Sequence, residues 1–334
     1  MTEARVDTTR LQRLARSYAE TAVFYAALDL GLFTHIAGGI DTSAALAEAM
    51  SISPLNAERL ITVVLAMGLV EKDGERLQNA PDAARYLVRG EKGYAADWMM
   101  FTRDDVPAWF RLTEILSDNR PPTTLGMYEN LTVAAAREYH AATYSIGMGA
   151  GRRFCSRVDL SGRHKLLDIG GGSGAYSINA VRRFPNLTAV VLDLPPVIEV
   201  TREYLERNSV SDRIGTLSGD FTTTPFPTDC DAAVMASNLP IYNEQTIQNV
   251  VQKVHDALLP GGEFHLVGEM LDEDGCGPLD PALWGMYEAI CGSAGKAHTR
   301  TQCIDYLRNA GFATVTDEIF VPGTLHRVTG FKAD

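Results

Sequence analysis

The segment LLDIGGGSGAY, residues 166–176, decides the fold of this chain. An apolar run that ends at Asp168 has the character of a buried strand, and glycines at 170, 171, 172 and 174 precede a helical run, YSINAVRRF. Glycine permits positive φ and lets a ligand approach the backbone closely. The helix that follows begins with free N–H groups, which favour negatively charged groups. The segment therefore predicts a ligand-binding turn between a strand and a helix.

The chain from Arg163 onward alternates short β-branched runs with helical patterns, which is typical of a parallel sheet with crossover helices. A final pair of runs turns at Pro322-Gly323 and predicts an antiparallel hairpin. The sequence thus predicts a Rossmann-like α/β domain over residues 156–334. Its predicted strands cover residues 165–169, 189–192, 214–217, 232–236, 263–267, 313–320 and 324–331.

Three acidic residues at the ends of successive predicted strands narrow the choice of ligand. Glycine-rich turns of this kind also serve NAD and FAD. Here Asp168 suits a cationic amine, and Asp193, 23 residues after Gly170, suits both hydroxyls of a ribose. Asp220 and Phe221 suit the amino group and the ring face of an adenine. Together these residues favour S-adenosylmethionine (SAM) as the cofactor, with S-adenosylhomocysteine (SAH) as its product.

The N-terminal segment has a different pattern, of helices followed by a hairpin. Residues 10–36 read as a helix pair, Thr42-Ser43 and Ser53-Pro54 mark further helix starts, and Asp73-Gly74 marks a turn between two short strands. This order is typical of a winged helix, and we interpret residues 1–90 as a mainly helical dimerisation domain. Residues 91–155, rich in aromatic side chains, are interpreted as a helical linker that contributes to a substrate pocket.

The composition argues against several classes of partner. A net charge of −12 and a pI of about 5.1 disfavour nucleic acid, whose phosphates need a basic face. Apolar runs fall short of the roughly 20 residues that cross a bilayer, and the N-terminus lacks the apolar centre of a signal peptide. The five cysteines are odd in number and have no CxxC spacing, so we expect no disulfide framework, no zinc site and a cytoplasmic location.

These segments together resemble the class I SAM-dependent methyltransferases, specifically the plant-type small-molecule O-methyltransferase family that includes caffeate and acetylserotonin methyltransferases. The resemblance implies methyl transfer to a small aromatic acceptor and a homodimer whose N-terminal helices interlock. Tyr18, Phe24 and Leu28 would supply apolar contacts to that interface. The segments that carry the resemblance are DIGGGSG (168–174), LDLP (192–195), GDFT (219–222), LLPGGE (258–263) and RTQCIDYLRNAGF (300–312).

The chain departs from this family at the positions of its catalytic pair. The family's base is a histidine in a segment similar to LHDWxDE, whereas NLPIYNE (238–244) has Leu239 at the histidine position and Pro240 at the aspartate position. The family's glutamate before Arg-Thr is replaced by Thr299 in GKAHTRT. A neutral phenol is a poor nucleophile near pH 7, so a base normally assists its attack. Because metal-binding relatives use the same His-Asp dipeptide, we also expect no metal.

Candidate residues for the site follow from their positions in these segments. His298, in the loop that borders the acceptor in this family, is predicted to be the base, and Asn238, at the end of the fourth strand, is predicted to hydrogen-bond the acceptor. The predicted cofactor contacts are Asp168, Gly170, Gly172, Asp193, Leu194, Asp220, Phe221, Ser237, Tyr139 and Thr143. The predicted acceptor contacts are Trp98, Phe101, His140, Tyr144, Trp284 and Tyr287.

The missing pair leaves more than one function open. The sequence favours methylation of a ring carbon ortho or para to a hydroxyl, similar to the enzymes that C-methylate 3-hydroxykynurenine or 3-hydroxyanthranilate in pyrrolobenzodiazepine-antibiotic biosynthesis. A second hypothesis is O-methylation of a phenolic natural product, with a substitute base or by alignment with the activated sulfonium alone. A third is a SAM-binding cyclase or hydroxylase on the same scaffold. A transcription regulator is a fourth, which the acidic charge disfavours.

Overall fold

The computed structural model describes residues 7–334, which form two compact units. The first unit extends to Arg103 and the second comprises Asp104–Asp334. The boundaries predicted from the sequence lie after residues 90 and 155, and the helix Val133–Arg157 runs through the second of these positions. Among the described residues, no helix is both long and apolar enough to cross a membrane.

The N-terminal unit is mainly helical and contains one short hairpin. Its predicted helix starts are confirmed, because Thr42 Oγ1 accepts from the backbone N–H of Ala45 and Ser53 Oγ accepts from that of Asn56. Such caps satisfy amides that the helix itself leaves unpaired. The elements are α1 (Thr9–Asp29), α2 (Leu32–Ala37), α3 (Ser43–Ala49), α4 (Pro54–Ala66), β1 (Val70–Asp73), β2 (Arg76–Asn79), α5 (Pro81–Tyr86) and α6 (Ala96–Phe101).

The two halves of α1 differ in their surroundings within this unit. Leu11, Leu14 and Tyr18 recur at the spacing of one helix face, and their side chains are 54–65 % exposed. Leu28 is buried in the core of its own unit, so the prediction that it contacts a second copy is wrong. Phe24 is partly buried against the same core. The apolar surface of α1 therefore lies in its first half.

The C-terminal unit combines a seven-stranded sheet with helices, and its strands lie where the sequence predicts them. Short 3₁₀ turns occupy Gly126–Tyr128 and Leu239–Ile241. The elements are α7 (Val106–Trp109), α8 (Leu112–Ser117), α9 (Val133–Arg157), β3 (Lys165–Ile169), α10 (Ala175–Arg183), β4 (Thr188–Asp193), α11 (Pro195–Arg207), β5 (Ile214–Ser218), β6 (Cys230–Ala236), α12 (Glu244–Ala257), β7 (Leu258–Gly268), β8 (Met270–Leu271), α13 (Leu279–Cys291), β9 (His298–Thr299), α14 (Arg300–Asn309), β10 (Thr314–Val321) and β11 (Leu325–Phe331).

The large sheet has the strand order β10-β11-β7-β6-β3-β4-β5. Strands β3 to β7 are parallel to one another, and the terminal hairpin β10–β11 adds antiparallel strands at one edge, as predicted. Strand β7 begins earlier than predicted, because its pairing jumps from Cys230↔Leu258 to Ala232↔Glu263. The residues between, 259–262, bulge out of the ladder, where Pro260 has no N–H to donate.

Both faces of the central strands are covered by helices, which explains their nearly continuous apolar sequence. Alternate side chains of a strand point to opposite faces. Leu167 and Ile169 of β3 therefore pack with α12 and α14, whereas Leu166 packs with α9 and α10.

The connection between strands fixes the position of the candidate site. From β3 the chain proceeds outward to β4 and β5 and then returns to place β6 on the other side of β3. In open α/β sheets, the crevice at the carboxyl ends of the strands around such a reversal is where ligands bind. The residues that follow β3, β4, β5, β6 and β7 consequently form the candidate site.

Candidate active site

The glycine turn after β3 has a backbone that other residues would strain. Gly170, Gly172 and Gly174 all have positive φ, of 62°, 56° and 74°. Space is also limited, because a Cβ on Gly170 would lie 2.7 Å from Asn238 Nδ2, and one on Gly172 would lie 2.6 Å from His140 Cε1. The glycines therefore supply both the conformation and the clearance that the turn requires.

Asp193, at the end of β4, holds the backbone of this turn through a hydrogen bond. Its Oδ2 accepts from the backbone N–H of Gly172 at 2.8 Å, and its Oδ1 accepts from that of Leu194 at 2.7 Å. Burial raises the pKa of Asp193 to about 6, against the lowering effect of these two bonds. Each carboxylate oxygen can accept a second hydrogen bond, so Asp193 retains capacity for the paired hydroxyls of a ribose.

Asp168 is more deeply placed than the sequence analysis assumed. Its Oδ2 accepts from Ser177, through the hydroxyl at 2.7 Å and the backbone N–H at 3.2 Å. Burial raises the pKa of Asp168 to about 6. Oδ1 makes no hydrogen bond with any described residue and is the atom available to a cationic amine. Asp168 thus ties the end of β3 to the first turns of α10 and leaves one oxygen for a ligand.

Asp220, after β5, forms a local turn. Its Oδ1 accepts from both the N–H and the hydroxyl of Thr222, each at 2.8 Å, and Oδ2 has no hydrogen bond within residues 7–334. That oxygen suits the amino group of an adenine. The neighbouring Phe221 is buried, with its ring 5.2 Å from that of Tyr242 in an edge-on arrangement. Its predicted contact with an adenine face stays a prediction.

Ser237 and Asn238 connect the end of β6 to the glycine turn. Ser237 has φ of 57°, a conformation that non-glycine residues adopt at a cost and that concentrates at functional sites. Asn238 Nδ2 donates to the backbone oxygens of Ala236 at 2.9 Å, Gly170 at 3.3 Å and Ile169 at 3.4 Å. Asn238 therefore orients the glycine turn, while its predicted bond to the acceptor stays a prediction.

Helix α9 brings a cluster of aromatic side chains to the same edge. The rings of Tyr128 and Tyr139 meet edge-on at 6.3 Å. The charges of Asp193, Glu269 and Glu288 all raise the pKa of Tyr139, after burial as the main cause. Tyr139 therefore lies within electrostatic reach of three carboxyls from separate elements. The hydroxyl of Thr143, one turn on, donates to the Tyr139 carbonyl at 3.0 Å; its cofactor contact stays a prediction.

His140 lies against the glycine turn, as the contact with Gly172 shows. The side chain is buried, and burial lowers its pKa to about 4. The ring is consequently neutral near pH 7, and it is a weak base. Its predicted contact with the acceptor stays a prediction.

The geometry of His298 does not support its predicted role as the base. The residue is fully buried, its Nε2 lies 2.9 Å from the Tyr242 carbonyl oxygen, and its Nδ1 lies 2.9 Å from the Tyr306 hydroxyl. Nε2 donates to the carbonyl, and Nδ1 accepts from the hydroxyl. Neither nitrogen remains to take a proton from an acceptor, and burial lowers the pKa of the ring. His298 is a structural residue that supports the segment after β6.

The surroundings of Tyr144 do not support its predicted contact with the acceptor. Its ring stacks on Tyr204 of α11 at 4.4 Å, and its hydroxyl accepts from Asn208 Nδ2 at 2.7 Å. These contacts belong to the apolar cluster between α9 and α11, which holds the two helices together. The residue accordingly packs helices rather than lining an acceptor pocket.

The aromatic residues of α13 form a connected group. Tyr287 is buried, donates its hydroxyl to Asp105 Oδ2 at 2.7 Å, stacks with Trp109 at 6.1 Å and meets Trp284 edge-on at 5.7 Å. Such a group suits one wall of an aromatic pocket. Trp98 and Phe101 stack at 5.9 Å within α6 of the N-terminal unit. That any of these residues contacts an acceptor stays a prediction.

Two acidic residues that the sequence analysis did not single out belong to this site. Glu269 follows β7 directly, and burial raises its pKa to about 7. Glu288 of α13 is buried, accepts from Ser293 Oγ at 2.5 Å and has a raised pKa, with burial as the first cause. The signal for Glu269 was an acid immediately after an apolar strand, in HLVGEM. Glu288 gave no comparable signal. In the described part of the chain, no three potential metal ligands come together.

The geometry fits an adenosyl ligand. The ends of β4 and β5 offer carboxylate oxygens to ribose and adenine. The end of β3 offers one to an amine, beside a turn of glycines that lets a ligand approach the backbone closely. The C-terminal unit is thus a SAM-binding domain of the methyltransferase type.

Comparisons with known proteins identify the family. Residues 126–313 match the O-methyltransferase domain, and residues 12–89 match the O-methyltransferase dimerisation domain. The chain is 31 % identical over 332 residues to the 3-hydroxy-5-methyl-1-naphthoate 3-O-methyltransferase of Streptomyces sahachiroi, covering 97 % of this chain and 95 % of that protein. The chain therefore belongs to the O-methyltransferase family and is a SAM-dependent methyltransferase.

Two further relatives refine this picture. The L-tyrosine C(3)-methyltransferase of Streptomyces lavendulae is 33 % identical over 168 residues, which cover 50 % of this chain and 46 % of that protein. The structure of human N-acetylserotonin methyltransferase in complex with SAM has a TM-score of 0.81 at 22 % identity and covers all of both chains. The predicted Rossmann-like fold with an N-terminal helical dimerisation domain is confirmed.

Replacing Asp193 tests the cofactor site. We expect Asp193→Asn to weaken SAH binding by at least about tenfold, because hydrogen bonds to a charged acceptor contribute about 1.5–3 kcal/mol. Isothermal titration calorimetry measures the Kd. Asp229→Asn, which removes an exposed acid paired with Lys165, is the control and should bind normally. Equal Kd values for the two variants would contradict the assignment.

The affinity for SAH, which lacks the sulfonium charge of SAM, should depend on pH. Asp168 and Asp193 both have folded-state pKa values near 6, and the amine and hydroxyls of the ligand favour their ionised forms. Protonation therefore competes with binding as the pH falls through 6, and each group weakens binding about tenfold at pH 5. We expect a constant Kd above pH 7 and a steep rise below pH 6. A Kd that is the same at pH 7 and pH 5 would rule out these carboxylates as contacts.

Proposed function

We propose that this chain transfers the methyl group of SAM to a small phenolic aromatic compound. SAM, when bound, supplies an electrophilic methyl group. The observation that carries the proposal is the combination of the adenosyl-binding strand ends with the aromatic group of Trp109, Trp284 and Tyr287. The full-length relative that acts on a hydroxynaphthoate supports the same class of acceptor.

The phenolic oxygen is the first candidate for the methylated atom. A relative that matches nearly the whole chain is an O-methyltransferase by name. A ring carbon is the second candidate, as in a 3-hydroxykynurenine or a related hydroxyanthranilate. Two observations favour it: the similarity to the tyrosine C-methyltransferase over half of the chain, and the loss of the family's histidine and glutamate at Leu239 and Thr299. Deprotonating a phenol activates both its oxygen and its ring carbons, so one scaffold serves either product.

The chain's own residues perform three tasks in this proposal. Asp193 and Asp220 hold the adenosyl group through their free lone pairs. Asn238 fixes the glycine turn beside the methionyl part. The aromatic group around Tyr287 holds a flat acceptor and excludes water, which contributes to alignment with the methyl donor.

The position of the transferred methyl group tests the proposal. We expect the protein to convert methyl-labelled SAM to SAH with a panel of hydroxynaphthoates, phenols and 3-hydroxykynurenine, and NMR of the product to place the label on an oxygen. A label on a ring carbon selects the second candidate. Asp193→Asn serves as the control with impaired cofactor binding. Unconsumed SAM with every acceptor would contradict methyl transfer to phenols.

The chain is further proposed to act as a homodimer, in the cytoplasm, in antibiotic or other secondary metabolism. The dimerisation domain over residues 12–89 and the Streptomyces relatives support this. The exposed face of Leu11, Leu14 and Tyr18 on α1 is the surface proposed to meet the second copy.

Charge placed on this face should separate the copies. We expect the double variant Leu11→Glu and Leu14→Glu to have half the mass of the wild type by light scattering, because the acids cannot be buried unpaired. Arg16→Glu, about 140° around the helix from Leu11, is the matched control and should remain dimeric. A double variant that keeps the wild-type mass, or a monomeric wild type, would contradict the proposal.

A further inference from the structure

Glu269 follows the last residue of β7 and lies at the same edge of the sheet as Asn238. Strands β6 and β7 are parallel, and Ala236 pairs with Val267. Asn238 and Glu269 each lie two residues beyond this pair, so the register brings them to the same edge. Since Asn238 contacts the glycine turn at Gly170, Glu269 lies on the side of the crevice away from the adenosyl-binding ends of β4 and β5.

The carboxyl of Glu269 has no partner among residues 7–334: no other residue donates a hydrogen bond to it and no cation pairs with it. Burial raises its pKa to about 7, and only its own backbone N–H opposes this. Its charge raises the pKa of Tyr139 on α9 and of Tyr176 on α10. The carboxyl thus lies within electrostatic reach of one residue on each of these two helices.

Among residues 7–334, the groups that act on these two tyrosines together with Glu269 are acids, the Tyr128 phenol and the Cys155 thiol. Asp193 and Glu288 act on Tyr139, and Asp168 acts on Tyr176. His298 on β9 pairs through its backbone with Met270, next to Glu269. Carboxyls withdrawn from water are normally paired, as the buried Asp168 is with Ser177, whereas Glu269 is partly buried and unpaired. An unpaired one in a crevice indicates a group kept free for a ligand.

The family's usual base is absent next to this carboxyl. Leu239 occupies its position and is fully buried, and a Cβ on Gly268 would lie 3.2 Å from Leu239 Cβ. The residue before Glu269 therefore touches the position where the family has its histidine. Neither His298, with both nitrogens engaged, nor His140, held neutral by burial, replaces it.

We propose that Glu269 takes the proton of the acceptor in this site, an inference that rests on the proposed methyl transfer to a phenol. The acceptor O–H bond breaks and its proton passes to Glu269 Oε. The electron pair released on the acceptor forms the bond to the methyl carbon, and the pair of the sulfur–carbon bond stays on sulfur. Glu269 then returns the proton to water. A carboxyl whose pKa lies near the working pH suits this task.

Binding of the two adenosyl ligands gives a readout that does not depend on turnover. SAM carries a positive charge on sulfur that SAH lacks, and a nearby positive charge favours the ionised carboxyl. At pH 7, where Glu269 is about half protonated, we expect SAM to release up to about 0.5 proton more than SAH. Calorimetry in buffers of different ionisation enthalpy measures this difference. It should vanish in Glu269→Gln and persist in Glu273→Gln, an exposed acid paired with Arg300. Persistence in Glu269→Gln overturns the proposal.

Turnover with phenols of graded acidity is the second readout. We expect Glu269→Gln to lower kcat by at least about 100-fold and to remove the inflection in the dependence of kcat on pH. The kcat of this variant should recover most with the most acidic phenols, which ionise without a base. A merely structural role would not produce that recovery. If Glu269→Gln does not bind SAH, Glu269→Asp is measured, with the same dependence on phenol acidity expected. Turnover that is within threefold of wild type, or a loss independent of phenol acidity, overturns the proposal while leaving the proposed function intact. A wild type that methylates no phenol removes both.

Discussion

The hydrogen bond from the Gly172 N–H to Asp193 Oδ2, at 2.8 Å, is the contact on which the candidate site depends. It joins the turn after β3 to the end of β4. On its other side, the Gly172 carbonyl accepts from Thr201 of α11 at 2.6 Å. The peptide groups around one glycine are therefore held by two other elements of the protein. A turn fixed in advance loses little conformational freedom on binding.

Polar groups elsewhere at this edge are organised around the same turn. Asn238 donates to the Gly170 carbonyl, and Asp168 bonds to Ser177 just beyond the turn. Each of these two side chains uses some of its hydrogen-bonding atoms to bond the backbone and has others that a ligand can use. The pKa values of Asp168 and Asp193, near 6, reflect this compromise, because burial disfavours their charge in the absence of a cationic or hydroxyl-bearing ligand.

The region where the family has its catalytic histidine and glutamate is well packed in this chain. Leu239 is fully buried with the core of the sheet, and His298 holds the segment after β6 through the Tyr242 carbonyl. A buried histidine with both nitrogens bonded stabilises one arrangement of its neighbours. The chemistry of the lost histidine has therefore not been taken over by His298.

Local sequence signals predicted the sheet and the cofactor side well. Buried parallel strands are nearly continuous apolar runs, and the glycines and acids of the cofactor site lie within a few residues of strand ends, so Asp168, Asp193 and Asp220 were readable. The residues on the acceptor side were harder to predict, because sequence spacing does not show which neighbours a side chain contacts. Tyr144 lies only four residues from His140, yet it packs against α11. His298 lies on the short strand β9, and its burial follows from contacts with distant residues. Glu269 directly follows an apolar strand in the sequence, but its place beside Asn238 depends on the register of β6 and β7.

A crystal structure of the protein with bound SAH tests the central claim most directly. Both ribose hydroxyls are expected within about 2.7–3.2 Å of the Asp193 carboxylate, with Gly172 still hydrogen-bonded to Asp193 and the sulfur directed towards the β6–β7 side of the crevice. Adenosyl density at another place on the chain, or a ribose without contact to Asp193, would contradict it.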